Sequence, residues 1–251
     1  MKSILVRLAL PVLLVRGTAA AQPGTQWPIH AADRPQPVVV DAGAGALPVP
    51  PPRDAIVLFG GGDLSKWIHA DGRAAEWVVR EGYFEVRPGA GNLMTRDGFG
   101  DMQLHVEWAA PDPAQGTGQD RGNSGVFPMS RYEVQVLDSY GNTTYPDGQA
   151  GAVYGQFPPL VNASRPPGAW QSYDIVFRGP RFDSSGRLVR PATMTVLHNG
   201  VLVQDHVTLS GPTGHHSRPP YEAHPDRMPI VLQDHAHPVR FRNIWLRALP
   251  P

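Results

Sequence analysis

Residues 129–140 read MSRYEVQVLDSY, the longest run between positions 55 and 249 that holds neither glycine nor proline. The run alternates, with Tyr132, Val134 and Val136 on one side and Glu133 and Gln135 on the other. Successive side chains of an extended chain project to opposite faces, so this period of two marks a strand with one face in a core. A helix of ordinary length, about 11–12 residues, has almost nowhere else to form, because proline breaks a helix interior and glycine weakens it.

Working outward, the same period recurs. Met102, Leu104, Val106 and Trp108 oppose Gln103, His105 and Glu107, and Tyr173, Ile175 and Phe177 form another apolar stripe. Residues 193–197 and 201–207 flank Asn199-Gly200, a pair that favours a tight type I′ hairpin. Residues 230–235 and 239–246 make a last pair joined through Pro238. Many short antiparallel strands in one domain predict an all-β sandwich or jelly roll.

Composition agrees. The 28 prolines and 27 glycines among 251 residues punctuate strands, while 41% hydrophobic residues suffice for a packed core. Without cysteine there is no disulfide framework, thiolate metal site or cysteine nucleophile. Zero formal net charge argues against a nucleic-acid-binding surface. Residues 1–21 read as a secretory signal: Lys2 and Arg7, an apolar stretch at 8–15, and the small residues Ala19-Ala20-Ala21 before Gln22. Eight apolar residues are too few to cross a bilayer. Its removal takes three cations and no acid, leaving 19 basic against 22 acidic residues. The expectation is a mildly acidic periplasmic or secreted protein with no membrane attachment after cleavage. Residues 22–54 carry eight prolines, ending in PVPPP at 48–52, and read as an extended tether. Residues 55–249 read as the single folded domain.

Polar residues opposite an apolar stripe are expected on any half-buried sheet. Here, however, they are acids, imidazoles, amides and guanidiniums: Gln103/His105/Glu107, Glu133/Gln135, Gln233/His235 and Arg240/Arg242. If their strands are neighbours, one sheet face becomes a polar trough suited to a sugar. The pattern Glu133-Val-Gln135-Val-Leu-Asp138 breaks the E-x-D-x-x-E arrangement of paired-carboxylate glycosidases, since the middle acid is an amide. Five of ten histidines fall at 215, 216, 224, 235 and 237, without the spacing of a known zinc motif. Trp67, Trp170, Tyr145 and Tyr154 fall near loops, where they could stack on a sugar ring or belong to the core.

Longer strings carry a resemblance. LFGGGDLSKW (58–67) looks like the opening motif LFNGKDLSGW of the 3-keto-disaccharide hydrolase domain family, with Gly60-Gly61 where that motif has Asn-Gly. RGNSGVF (121–127), YEVQVLDS (132–139), YPDG (145–148), GAVYG (151–155), WQSYD (170–174), HNGV (198–201), QDH (233–235) and VRFRNIW (239–245) follow in order. The resemblance implies a concanavalin A-like jelly roll and a carbohydrate-active enzyme on 3-keto-glycosides, a 3-keto-glucoside 1,2-lyase or 3-keto-2-hydroxyglucal hydratase.

The implied chemistry needs one base, an electrophile for the enediolate and a proton source for the leaving oxygen. It does not need two carboxylates spaced for glycoside hydrolysis. The assignment is Glu133 as base and His235 as acid, with the exchange of those roles open. Arg121, Asn123, Gln135, Gln233 and Trp170 are the substrate-binding candidates. One divalent metal ion, with His105 and Glu107 as ligands, would supply the electrophile, and no organic cofactor is called for. The partner expected is a small carbohydrate, not nucleic acid or membrane. A non-catalytic lectin-like module is the alternative.

Overall fold

The computed structural model describes residues 27–250. The signal sequence and the first residues of the tether lie outside them. Two antiparallel sheets form a sandwich. The larger runs in the order Val201–Thr208, Thr193–His198, Gln171–Arg178, Met102–Ala109, Arg240–Ala248, Tyr83–Glu85, Val78–Arg80, and Ile56–Phe59 also pairs with Arg240–Ala248. The smaller runs Trp67–His69, Leu93–Thr95, Val231–Leu232, Ser124–Phe127, Val134–Val136. Helix among the described residues amounts to two single 3₁₀ turns, Pro128–Ser130 and Pro146–Gly148. No described helix is long and apolar enough to cross a membrane.

The alternation read from the sequence is realised. Tyr173, Ile175 and Phe177 lie opposite Val106, Leu104 and Met102, and all six are fully buried between the sheets. Each such side chain contributes about 1.5–3 kcal/mol on burial. The hairpin at Asn199-Gly200 has positive φ at both positions, 53° and 80°, as a type I′ turn demands. Trp67, considered above as a sugar platform, is wholly buried and donates from Nε1 to Leu58 O. The expected strand at 230–235 is shorter, Val231–Leu232 only, because Asp234 caps a turn by accepting from the Ala236 amide.

The proline-rich stretch expected to be a tether is extended, as its composition requires, yet it lies along the domain as a strap. Val38–Val39 pairs in parallel with Val161–Asn162. Val49 N donates to Glu107 Oε1 at 2.8 Å, and Val49 O accepts from Asn243 Nδ2 at 2.7 Å. Arg34 is buried.

Candidate active site

The polar residues separate onto the two sheets. Those of Met102–Ala109 and Arg240–Ala248 belong to the larger sheet, and Glu133/Gln135 and Gln233/His235 to the smaller, so the single trough expected does not form.

On the larger sheet, His105 Nδ1 lies 2.7 Å from Asp174 Oδ1 and its Nε2 lies 3.5 Å from Glu107 Oε1. Glu107 also accepts from Arg242 Nε, Asn243 Nδ2 and Val49 N at 2.7–2.8 Å. A bulge between Arg242 and Trp245, with Asn243 at φ 45°, turns that amide toward the carboxylate. Burial alone would raise the Glu107 carboxyl, but these donors overcome it and hold the group down at about 2. Burial likewise opposes charge on His105, and Asp174 and Glu107 reverse the effect. Both residues are fully buried and their lone pairs and protons are spoken for. His105 and Glu107, named above as metal ligands, lie in an ionic network with Asp174, Arg242, Asn243 and Val49 that fastens the strap to the sheet.

The smaller sheet carries a cavity of about 340 Å³, in the size range of small-ligand sites. It is lined by Asn123, Phe127, Glu133, Gln135, Tyr154, Thr213, His215, Gln233 and His235. Glu133 and Gln135 occupy the side of Val134–Val136 away from the core, yet they are only 4% and 1% exposed. Residues 149–157 run along that edge strand, with Gln135 N donating to Ala152 O and Gly151 N to Gln135 O. Thr213 accepts from the Glu133 amide through Oγ1 at 2.9 Å. No cation pairs with the Glu133 carboxyl among the described residues, and burial pushes it up to about 8.

The neighbours of Glu133 are amides. Gln135 Nε2 donates to Gln119 Oε1 and Asn123 Oδ1 at 3.1 and 3.2 Å; turned over, the same amide reaches Glu133 Oε1 at 2.9 Å. Gly125 faces Gln135 in register, and a Cβ there would fall 2.6 Å from Glu133 Oε1 and from Phe127 Cε2. That position must be glycine for the carboxyl to keep its place, which accounts for the second glycine of RGNSG. From the other side, Gln233 N donates to Gly125 O, and Gln233 Oε1 is buried and without a partner among the described residues. The turn beyond it, with Ala236 at φ 61°, sets the His235 and His237 rings nearly parallel, 6.0 Å apart. His235 is exposed at the cavity wall, while His237 faces Asp120 at 3.3 Å.

Of the sequence candidates, Glu133, His235, Asn123, Gln135 and Gln233 thus share one cavity. Arg121 and Trp170 do not. Arg121 donates from Nε to the buried Asp138 at 2.7 Å and borders a separate small cavity with His237. Trp170 lies under the Arg242 guanidinium, 4.1 Å from the ring centroid, in another groove. That groove, about 730 Å³, is larger, but its arginines are engaged: Arg165 with Gly43 O and Trp170 O, Arg242 with Glu107. It offers no acid or base comparable with Glu133. Sequence reading missed Thr213 and Phe127, named Tyr154 only as a residue that could stack on a sugar or belong to the core, and named His215 only within a group of five histidines. Phe127 lay in the string RGNSGVF and Tyr154 in GAVYG; Thr213 carries no sequence signal.

The sequence model of the 3-keto-α-glucoside-1,2-lyase-like domain matches residues 54–247. The chain belongs to that family. A crystal structure from Parabacteroides distasonis, described as a candidate glycosyl hydrolase, is similar at 44% identity and a TM-score of 0.77, over 81% of this chain and 94% of that one. Two further P. distasonis structures described in the same way share the fold at 17% and 20% identity. Their TM-scores are 0.58 and 0.56; each aligns over 78% of this chain and over 94% and 99% of its own. No curated protein matches the sequence. Family and neighbour together indicate a carbohydrate-active protein of glycosyl-hydrolase type.

Proposed function

We propose that the chain cleaves 3-keto-glycosides by elimination across C1 and C2, in the cavity that holds Glu133. A ketone at C3 acidifies the C2 hydrogen. Glu133, as carboxylate, takes that hydrogen as a proton, and its electron pair moves to the C3 oxygen as an enediolate. The enediolate collapses, the C1–O bond breaks, and His235 protonates the departing oxygen. Addition of water across the resulting C1–C2 double bond completes a net hydrolysis. Gln233 Oε1, buried and unpartnered, accepts from a sugar hydroxyl, and the Asn123 and Gln135 amides orient the ring.

The observation that carries the reading is one buried carboxyl, raised to about 8 and free of any salt bridge among the described residues, facing a cavity of amides and imidazoles. A carboxylate of high basicity suits removal of a carbon-bound proton, and general-base assistance of this kind contributes about 10²–10⁴-fold. Incubation with a 3-keto-glucoside, following aglycone release by mass, tests the reading. Release that disappears in Glu133→Gln supports it. Sugar binding without release identifies a lectin-like module instead.

A further inference from the structure

Three imidazoles with no part in the elimination converge beside the cavity mouth. His30 comes from the strap, and His215 and His216 from the segment that supplies Thr213. One ring nitrogen of each lies within 4.8 Å of the other two. The His30 ring is held in place: it stacks on Tyr145 with centroids 3.9 Å apart, and its main-chain amide donates to Asp147 Oδ2 at 3.2 Å. Its Nε2 is nevertheless buried with no hydrogen-bond partner among the described residues. A buried polar nitrogen without a partner is costly, and an ion at that nitrogen would remove the penalty.

We propose that His30, His215 and His216 form a binding site for one divalent transition-metal ion of the zinc class. Three neutral imidazoles are the donor set of such ions, whereas calcium and magnesium take oxygen ligands. Asp147, fully buried, supplies a favourable negative field.

The site joins residue 30 to residues 215 and 216, so an ion there clasps the strap to the segment over the cavity. Three protein ligands leave a fourth position for water or a sugar oxygen. His215 also lines the cavity with Glu133 and His235, which places the ion at the border of the sugar site.

The test is calorimetric titration of the whole untagged chain with zinc sulfate, and separately with calcium chloride, in the absence of sugar. The expected result is one zinc bound per chain, no calcium bound, and at least 100-fold weaker zinc binding in both His30→Ala and His216→Ala. His216 is exposed, so His216→Ala keeps the fold if removing His30 loosens the strap. Undiminished zinc binding in His216→Ala, or no zinc binding by the parent chain, overturns the proposal. Because no sugar is present, either result leaves the elimination reading to stand or fall on aglycone release.

Discussion

Replacing Glu133 by glutamine preserves the shape of the side chain and deletes its titration. The carboxyl is displaced by burial from 4.5 to about 8, so the folded state holds its proton more tightly than the unfolded chain. Below pH 4.5 both states are protonated and the group has no effect on stability. Between 4.5 and 8 only the unfolded state ionises, and stability falls by about 1.4 kcal/mol per pH unit. Above 8 the loss is complete, at roughly 5 kcal/mol, an upper figure because water admitted to the cavity would soften it. This is a large share of the 5–15 kcal/mol that holds a typical domain together. Urea midpoints for the parent chain and Glu133→Gln, measured at pH 5, 6.5 and 8, isolate the term by difference. The parent should lose stability relative to the variant across that range, and the gap should close toward acid. Parallel curves would refute the buried, unpaired carboxyl. In the same pH series, kcat/KM on a 3-keto-glucoside should drop 10²–10⁴-fold in the variant.

Gly125→Ala should lower kcat/KM at least tenfold with little change in melting temperature, because the new methyl group lands on the Glu133 carboxyl and the Phe127 ring; unchanged turnover would show that the carboxyl has room to move. Glu107→Ala should destabilise the fold by about 3–5 kcal/mol by leaving Arg242 and His105 with uncompensated charge and donors, seen as a lowered urea midpoint. The Glu107 contribution is present above pH 4.5 and lost as pH falls toward 2, so the parent and variant curves should converge in acid. Trp170→Ala should leave KM for the sugar within about twofold, since the ring sits under Arg242 in another groove. A tenfold rise in KM would relocate the substrate to that groove.

Glu133 and Gln135 were legible as a polar pair opposite a core stripe because alternation is a local property. Which polar stripes share a face is not local. His105 and Glu133 sit in equivalent sequence patterns, yet one falls on the larger sheet and the other beside the smaller, and only the order of strands decides it. Arg121 lies apart from that cavity for a related reason: its partner Asp138, 2.7 Å away, is 17 positions along the chain, and sequence spacing does not pair them. The sequence reads residues 22–54 as an extended tether, and the described part of it lies against the domain. Its attachments are main-chain hydrogen bonds at Val49 and isolated side chains such as His30 and Gln36, and contacts of that kind leave no periodic trace. The Asn199-Gly200 hairpin, by contrast, follows from two residues whose backbone freedom dictates the turn.

The family match begins at residue 54, beyond almost every attachment the strap makes. A chain shortened to that border would retain every residue that the family model matches. It would lose the Val49 amide that helps saturate Glu107, the carbonyl that accepts from Asn243, and the His30 ring stacked on Tyr145. The span the family model matches and the span that packs together therefore begin at different places in this molecule. Trimming to the former would unseat a buried carboxylate some fifty residues downstream of the cut.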